Sequence, residues 1–197
     1  MVLPTHLRQR LTPAEIQFLC ENENVTILPR YSMPKVELIG NKIPALKALK
    51  RIEVPLWTAL ILKSQAKCNI IAPLWLNTDY LKKMYEQEKK YLEMFSSLPW
   101  NWLEMSKILI ARAADDLSDP STQLRSIIKD LREIRQLKSK RGLRELNESN
   151  IQLNGLSLME LNELRPFALS VMEKMRQLHD SVQTTNDQAS DESEPDL

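Results

Sequence analysis

EVPLWTALILKSQAKCNIIAPLWL, residues 53–76, is the most apolar stretch of the chain and the place where its character changes. Its longest nearly uncharged run, Val54–Leu62, is far shorter than the roughly 20 residues a membrane span needs, and Lys63 and Lys67 interrupt the remainder. Such a stretch must bury itself against protein. Upstream of it the apolar residues fall in short β-rich runs. From Pro55 onward they recur at helical spacing. The fold class read from this switch is mainly α, with a small N-terminal β-containing domain (residues 1–53) followed by an α-helical domain (residues 54–181).

Working back from the stretch, Thr12, Pro13 and Glu15 form a helix-start signal, with Thr as N-cap, Pro at the first turn and Glu able to reach back. The helix should run to about Glu21. VTILP (Val25–Pro29) and KVELI (Lys35–Ile39) read as two strands of a small sheet, separated by a turn with Ser32 and Pro34 and closed by Gly40 and Asn41. Two strands and one helix are too little to fold alone, so this unit must lean on something else.

Working forward, Pro55 opens a helix to about Gln65, and Asn77, Thr78 and Asp79 cap a charged helix to about Met94. Another helix starts near Pro99, with Trp102, Met105, Leu109 and Ala113 on one face. Pro120 begins a long helix with Asp119 as expected N-cap, carrying Leu124, Ile127, Ile128, Leu131 and Ile134 and reaching toward Leu146, with Gly142 a candidate point of interruption. Ser157 and Glu160 form a capping box that opens the last helix. There Leu158, Leu161 and Leu164 line one face, Pro166 should kink or restart the helix, and Ala168, Val171, Met172, Met175 and Leu178 continue it. Residues 182–197 are polar, without Lys or Arg, and are expected to be a disordered acidic tail.

Composition excludes several function classes. The chain has 197 residues, 43% of them hydrophobic, with a net charge of +1, which argues against nucleic-acid binding driven by global charge. Its three glycines, Gly40, Gly142 and Gly155, are too scattered for a loop that cradles phosphates. Cys20 and Cys68 are read as reduced thiols of an intracellular, soluble chain, and the N-terminus has no secretory h-region. No catalytic or metal motif occurs. His6 and His179 stand apart, His179 being placed near a helix C-terminus, where the dipole favours a cation. Asp115, Asp116 and Asp119 read as a helix exit and cap rather than a cation site. No enzyme activity, cofactor or metal is expected.

The remaining features point to binding. Between Ser121 and Asn147 eight basic residues face three acidic ones, and Arg125, Lys129, Arg132 and Arg135 recur along one helix. This is a candidate contact face for phosphates, and the alternative function is a nucleic-acid-binding module built on it. No aromatic residue interleaves with these charges, so base stacking is unsupported. The apolar surplus weighs more. Trp57, Trp75, Trp100 and Trp102 and two helical stripes need cover, and some of that surface is expected to face another subunit. The candidate partner-interface residues are Trp57, Leu158, Met159, Leu161, Leu164, Met172 and Met175.

The same segments carry a family resemblance. EIQFLCENENVTILPRYSMPKVELIG (Glu15–Gly40), VPLWTALILKSQAKCNIIAPLWL (Val54–Leu76) and LNGLSLMELNELRPF (Leu153–Phe167) resemble the Psf-two family of subunits of GINS, the four-subunit eukaryotic replication complex. PWNWL (Pro99–Leu103) and KDLREIRQLK (Lys129–Lys138) resemble its fungal members. The resemblance implies a GINS-like, two-part, non-catalytic scaffold subunit in the nucleus. It implies a heterotetramer with Sld-five, Psf-one and Psf-three, which joins the MCM hexamer and the Cdc-forty-five protein in the replicative helicase, with any DNA contact indirect.

Overall fold

The computed structural model describes residues 10–39, 41–144 and 153–191. Helix α1 (Pro13–Glu21) begins at the expected capping box: Thr12 accepts from the Glu15 N–H, and Glu15 accepts from the Thr12 N–H at 2.7 Å. Its Ile16 and Cys20 turn inward. Strand β1 (Asn24–Pro29) comes next and buries Val25, Ile27 and Pro29 by strict alternation.

The partner of β1 differs from the expected one. The two β-rich runs do not pair with each other. β2 (Val36–Leu38) pairs with β3 (Asn41–Ile43), whereas β1 is the centre of a separate antiparallel sheet of order β4-β1-β5. β4 (Ile52–Pro55) sets Val54 opposite Val25, and β5 (Cys68–Ile70) sets Ile70 opposite Ile27 and Cys68 opposite Pro29. Both flanking strands come from within or beside the apolar 53–76 stretch. They are too short to show alternation, and β4 runs directly into a helix, so the pattern around them reads as helical. The sheet therefore takes strands from both sides of residue 53.

Pro55 is the N-cap position of α2 (Leu56–Ser64), which lays Leu56, Ala59, Leu60 and Leu62 into the core. Cys68 donates its S–H to the Ala59 carbonyl at 3.6 Å. Cys20 and Cys68 are free and buried, and burial pushes their thiols up to about 12 and about 11. They act as small apolar side chains.

The helical part comprises α3 (Thr78–Lys90), α4 (Trp102–Arg112), α5 (Ser121–Arg144) and α6 (Leu158–Asp191). The Asn77 side chain caps α3 by accepting from the Asp79 N–H at 2.8 Å. α3 stops at Lys90, before the expected Met94, because the chain turns back to bring Ser96 onto the carboxylate of Glu88. α4 is buried nearly all round, through Trp102, Leu103, Met105, Ile108, Leu109 and Ile110, as a central core helix must be. α5 lies along α3 and is continuous through Gly142; the stretch beyond Arg144 toward Leu146 lies outside the described residues.

The carboxylates after α4 act as staples. Asp115 and Asp116 both pair with Lys63 of α2, at 2.6 and 2.7 Å, and Asp116 also accepts the Ile70 N–H of β5. Asp119 does not cap α5 as expected. Its carboxylate instead accepts from the Thr78 N–H and hydroxyl at 2.7 and 2.8 Å, at the start of α3. Those donors lie at a helix N-terminus, where a carboxylate is favoured, and they hold the Asp119 carboxyl below its ordinary range.

α6 opens on the expected capping box, with the Ser157 N–H and hydroxyl both donating to Glu160 at 2.8 Å. The helix does not restart at Pro166; it is continuous to Asp191. His179 thus sits within it rather than at its C-terminus. Residues 182–191 of the expected tail continue the helix, while 192–197, like His6, lie outside the described residues. No described helix is long and apolar enough to cross a membrane.

Candidate subunit interface

The root of α6 is a buried charge cluster. On α5, Leu124, Ile128, Leu131 and Arg135 share one 3–4 spacing, so Arg135 occupies the core face of the helix and is fully buried. Its guanidinium meets Glu88 of α3 at 2.6 Å and Glu160 of α6 at 2.7 and 2.9 Å. It also donates to the Gly155 carbonyl at 2.6 Å and stacks 4.9 Å from the Phe95 ring centroid. Lys138, one turn on, pairs with the second Glu88 oxygen and donates to the carbonyls of Tyr91 and Met94 at 2.7 and 2.8 Å.

Burial alone would raise the Glu88 carboxyl. Lys138, the two Ser96 donors and Arg135 outweigh it and hold the group below the usual carboxylate range. The cationic form of Arg135 is likewise opposed by burial but favoured more strongly by Glu160 and Glu88. Each charge in the cluster has a partner, which is the condition under which buried ions are tolerable. The turn before α6 is equally constrained. Gly155 has φ +81, and a Cβ there would stand 2.9 Å from the Phe95 Cβ.

Beyond this root the helix changes. Asn162 grips the backbone of Leu11, accepting its N–H at 2.8 Å and donating to its carbonyl at 2.9 Å. Glu163 pairs with Arg132 at 2.6 Å and accepts from Gln136 at 3.1 Å. Then the contacts thin. Leu161, Leu164, Ala168, Val171, Met175 and Leu178 alternate at spacings of three and four, the geometry of a helix–helix seam. Leu161, Leu164, Ala168, Val171 and Met175 are half-buried, Met172 and Phe167 beside them are exposed, and Leu178 is 67% exposed. Among the described elements α6 packs chiefly on α5, joined near its start by the Arg132–Glu163 pair.

The sequence candidates thus separate. Leu158 and Met159 are half-buried at the root, with Met159 against the core. Leu161, Leu164, Met172 and Met175 lie along the seam and its edge. Trp57 is elsewhere: half-buried, it lines a cleft of about 300 Å³ with Glu21, Leu60, Ile61, Lys63 and Arg112, a cleft no α6 candidate borders. The basic face is broken up. Arg135 is withdrawn into the core by its place in the apolar spacing. Arg132 is engaged by Glu163, and Lys129 sits 3.8 Å from Glu133. Arg125, Lys129 and Arg132 edge a second cleft of about 300 Å³ whose floor is Leu103, Ile110 and Ile128. Among the described residues no group of His, Cys, Asp or Glu could hold a metal ion.

The buried charge cluster escaped the sequence reading, although a signal was present. Glu88 extends the spacing of Leu81 and Met84, and Arg135 that of Ile128 and Leu131, so opposite charges stand at core positions of two helices.

A small sheet unit tied to a helical bundle, with one rooted helix whose apolar seam the described residues cover only in part, defines the build of the molecule. Comparisons with known proteins agree with it. The family model for the PSF2 N-terminal domain matches residues 12–71, and that for the GINS complex protein helical bundle domain matches residues 75–179. The chain is 63% identical over 196 residues to the DNA replication complex GINS protein PSF2 of Debaryomyces hansenii, covering 100% of this chain and 95% of the relative. It is 61% identical over 192 residues to that of Candida albicans, covering 98% and 95% of the two chains. Against that of Saccharomyces cerevisiae it is 44% identical over 209 residues, covering 98% of each. The chain belongs to the PSF2 family of GINS proteins.

Proposed function

We propose that this chain is a non-catalytic structural subunit of the GINS complex in DNA replication. In this reading it assembles in the nucleus with Sld-five, Psf-one and Psf-three, and through that tetramer with the MCM hexamer and the Cdc-forty-five protein. The observation that carries it is the α6 seam: an apolar 3–4 stripe from Leu161 to Leu178, rooted by Arg135 and only partly covered by the rest of the described chain. Packing such a stripe against a partner helix removes apolar surface from water at about 25 cal/mol per Å². Met172 and Met175 suit that role because the flexible thioether adapts to a neighbour's shape. The Trp57 cleft is a second partner surface in the same reading. The absence of catalysis is supported by how the clustered charges are spent: Lys63, Asp115, Asp116, Glu88, Arg135 and Glu160 all hold elements together.

The test is co-expression of the four subunits. The wild-type chain should elute with the other three as one equimolar species. The double substitution Met172→Glu and Met175→Glu should remove it from that species while its helical circular dichroism is retained. A wild-type chain that stays apart from the other three subunits sinks the proposal.

A further inference from the structure

Between β1 and β4 the chain leaves the sheet and returns as a two-stranded arm, described over residues 29–39 and 41–51. Its two sides stay in one register. Met33 and Leu46 exchange backbone hydrogen bonds at 2.9 and 3.0 Å, and Val36 then faces Ile43 and Leu38 faces Asn41. At the base the Leu49 N–H donates to the Pro29 carbonyl at 2.9 Å, and buried Leu46 roots the arm in the core. Near the far end Ile39 is completely exposed, and Tyr31 and Leu49 lie open along the sides.

The charge on this arm is one-sided. It carries Arg30, Lys35, Lys42, Lys47, Lys50 and Arg51 against Glu37 alone. The whole chain has a net charge of only +1, so everything outside the arm is net acidic. Lys67 stands at the arm's base, its carbonyl accepting the Arg30 N–H at 2.8 Å. Lysine is depleted at protein–protein interfaces, whereas neutralising phosphates is what clustered Lys and Arg do. A two-stranded ribbon is narrow enough to enter the major groove, where its flanking cations meet phosphates.

We propose that the 29–51 arm binds the phosphate backbone of DNA, with Lys47, Lys50 and Arg51 as its principal contacts. The proposal rests on the GINS-subunit reading only in that the assembled complex presents the arm.

The experiment uses the reconstituted four-subunit complex and labelled duplex and single-stranded DNA of equal length, titrated between about 50 and 200 mM salt. Size exclusion reads assembly separately. If the complex does not form, the subunit reading fails and the same titrations on the full-length chain alone decide the arm. The variant Lys47→Glu/Lys50→Glu/Arg51→Glu is expected to weaken binding about tenfold or more and to lower the salt slope by about two to three. The matched charge reversal Arg125→Glu/Lys129→Glu/Lys140→Glu on α5 should leave both unchanged. A loss on duplex, on single strand or on both supports the arm and assigns the source of the phosphates. Unaltered binding by the arm variant, or an equal loss from the α5 variant, overturns it.

Discussion

The two halves of the last helix are built on opposite principles. The first turns of α6 are fixed by charge: Glu160 closes the capping box and neutralises a fully buried arginine, and Asn162 and Glu163 tie down flanking segments. The half beyond Pro166 is apolar on one face, and the described residues cover that face only in part. Charge pairs demand defined geometry and fix direction; an apolar stripe accepts whatever complementary surface is brought to it. The combination aims a flexible-fit surface with a rigid root.

The sharpest way to break this contrast is at the root. Arg135→Ala leaves Glu88 and Glu160 buried without their shared partner, and should cost about 3–5 kcal/mol in urea or thermal unfolding. If the variant unfolds like the wild type, the root is not charge-fixed. pH probes the same cluster without mutation. The folded-state Glu88 carboxyl lies below its ordinary value of 4.5, so its contribution is fully present above that value and lost as pH falls through the depressed one. The unfolding midpoint should therefore drop below about pH 4.5, and Glu88→Gln should flatten that part of the profile. An unchanged slope in that variant argues against the assignment. A smaller effect is expected in the sheet unit, where Thr12→Ala removes the acceptor for the Glu15 N–H and should cost about 1 kcal/mol. The smallest is on the open half of α6. Met172→Glu, at an exposed position, should shift the unfolding free energy of the isolated chain by less than about 0.5 kcal/mol, as for other surface changes. A large loss there would mean the seam is already covered within the chain.

Legibility in the sequence depends on which interactions are local. Both capping boxes are readable, because Thr12 with Glu15 and Ser157 with Glu160 are three residues apart. The α6 seam is readable from its spacing. The partners of β1 are not, since β4 and β5 are four- and three-residue strands lost within an apolar run. Asp119 reads as the cap of the helix it precedes, yet its donors on Thr78 lie 41 positions away. Arg135 reads as a surface residue because basic residues recur around it. Its true neighbours, 47 and 25 positions distant, are set by how three helices meet.

The Asn162 grip on Leu11 joins positions 151 apart, and this bears on the order in which the protein matures. A chain made from its N-terminus can complete the three-stranded sheet once Ile70 has emerged, long before residue 162 exists. The clasp between the first described residues and the last helix must then close late, as a non-local contact whose loop has to be gathered first. Until it closes, the nascent chain carries a finished sheet and an unlatched leading segment. Attaching a bulky fusion partner just before Leu11 would load that late step rather than the sheet itself.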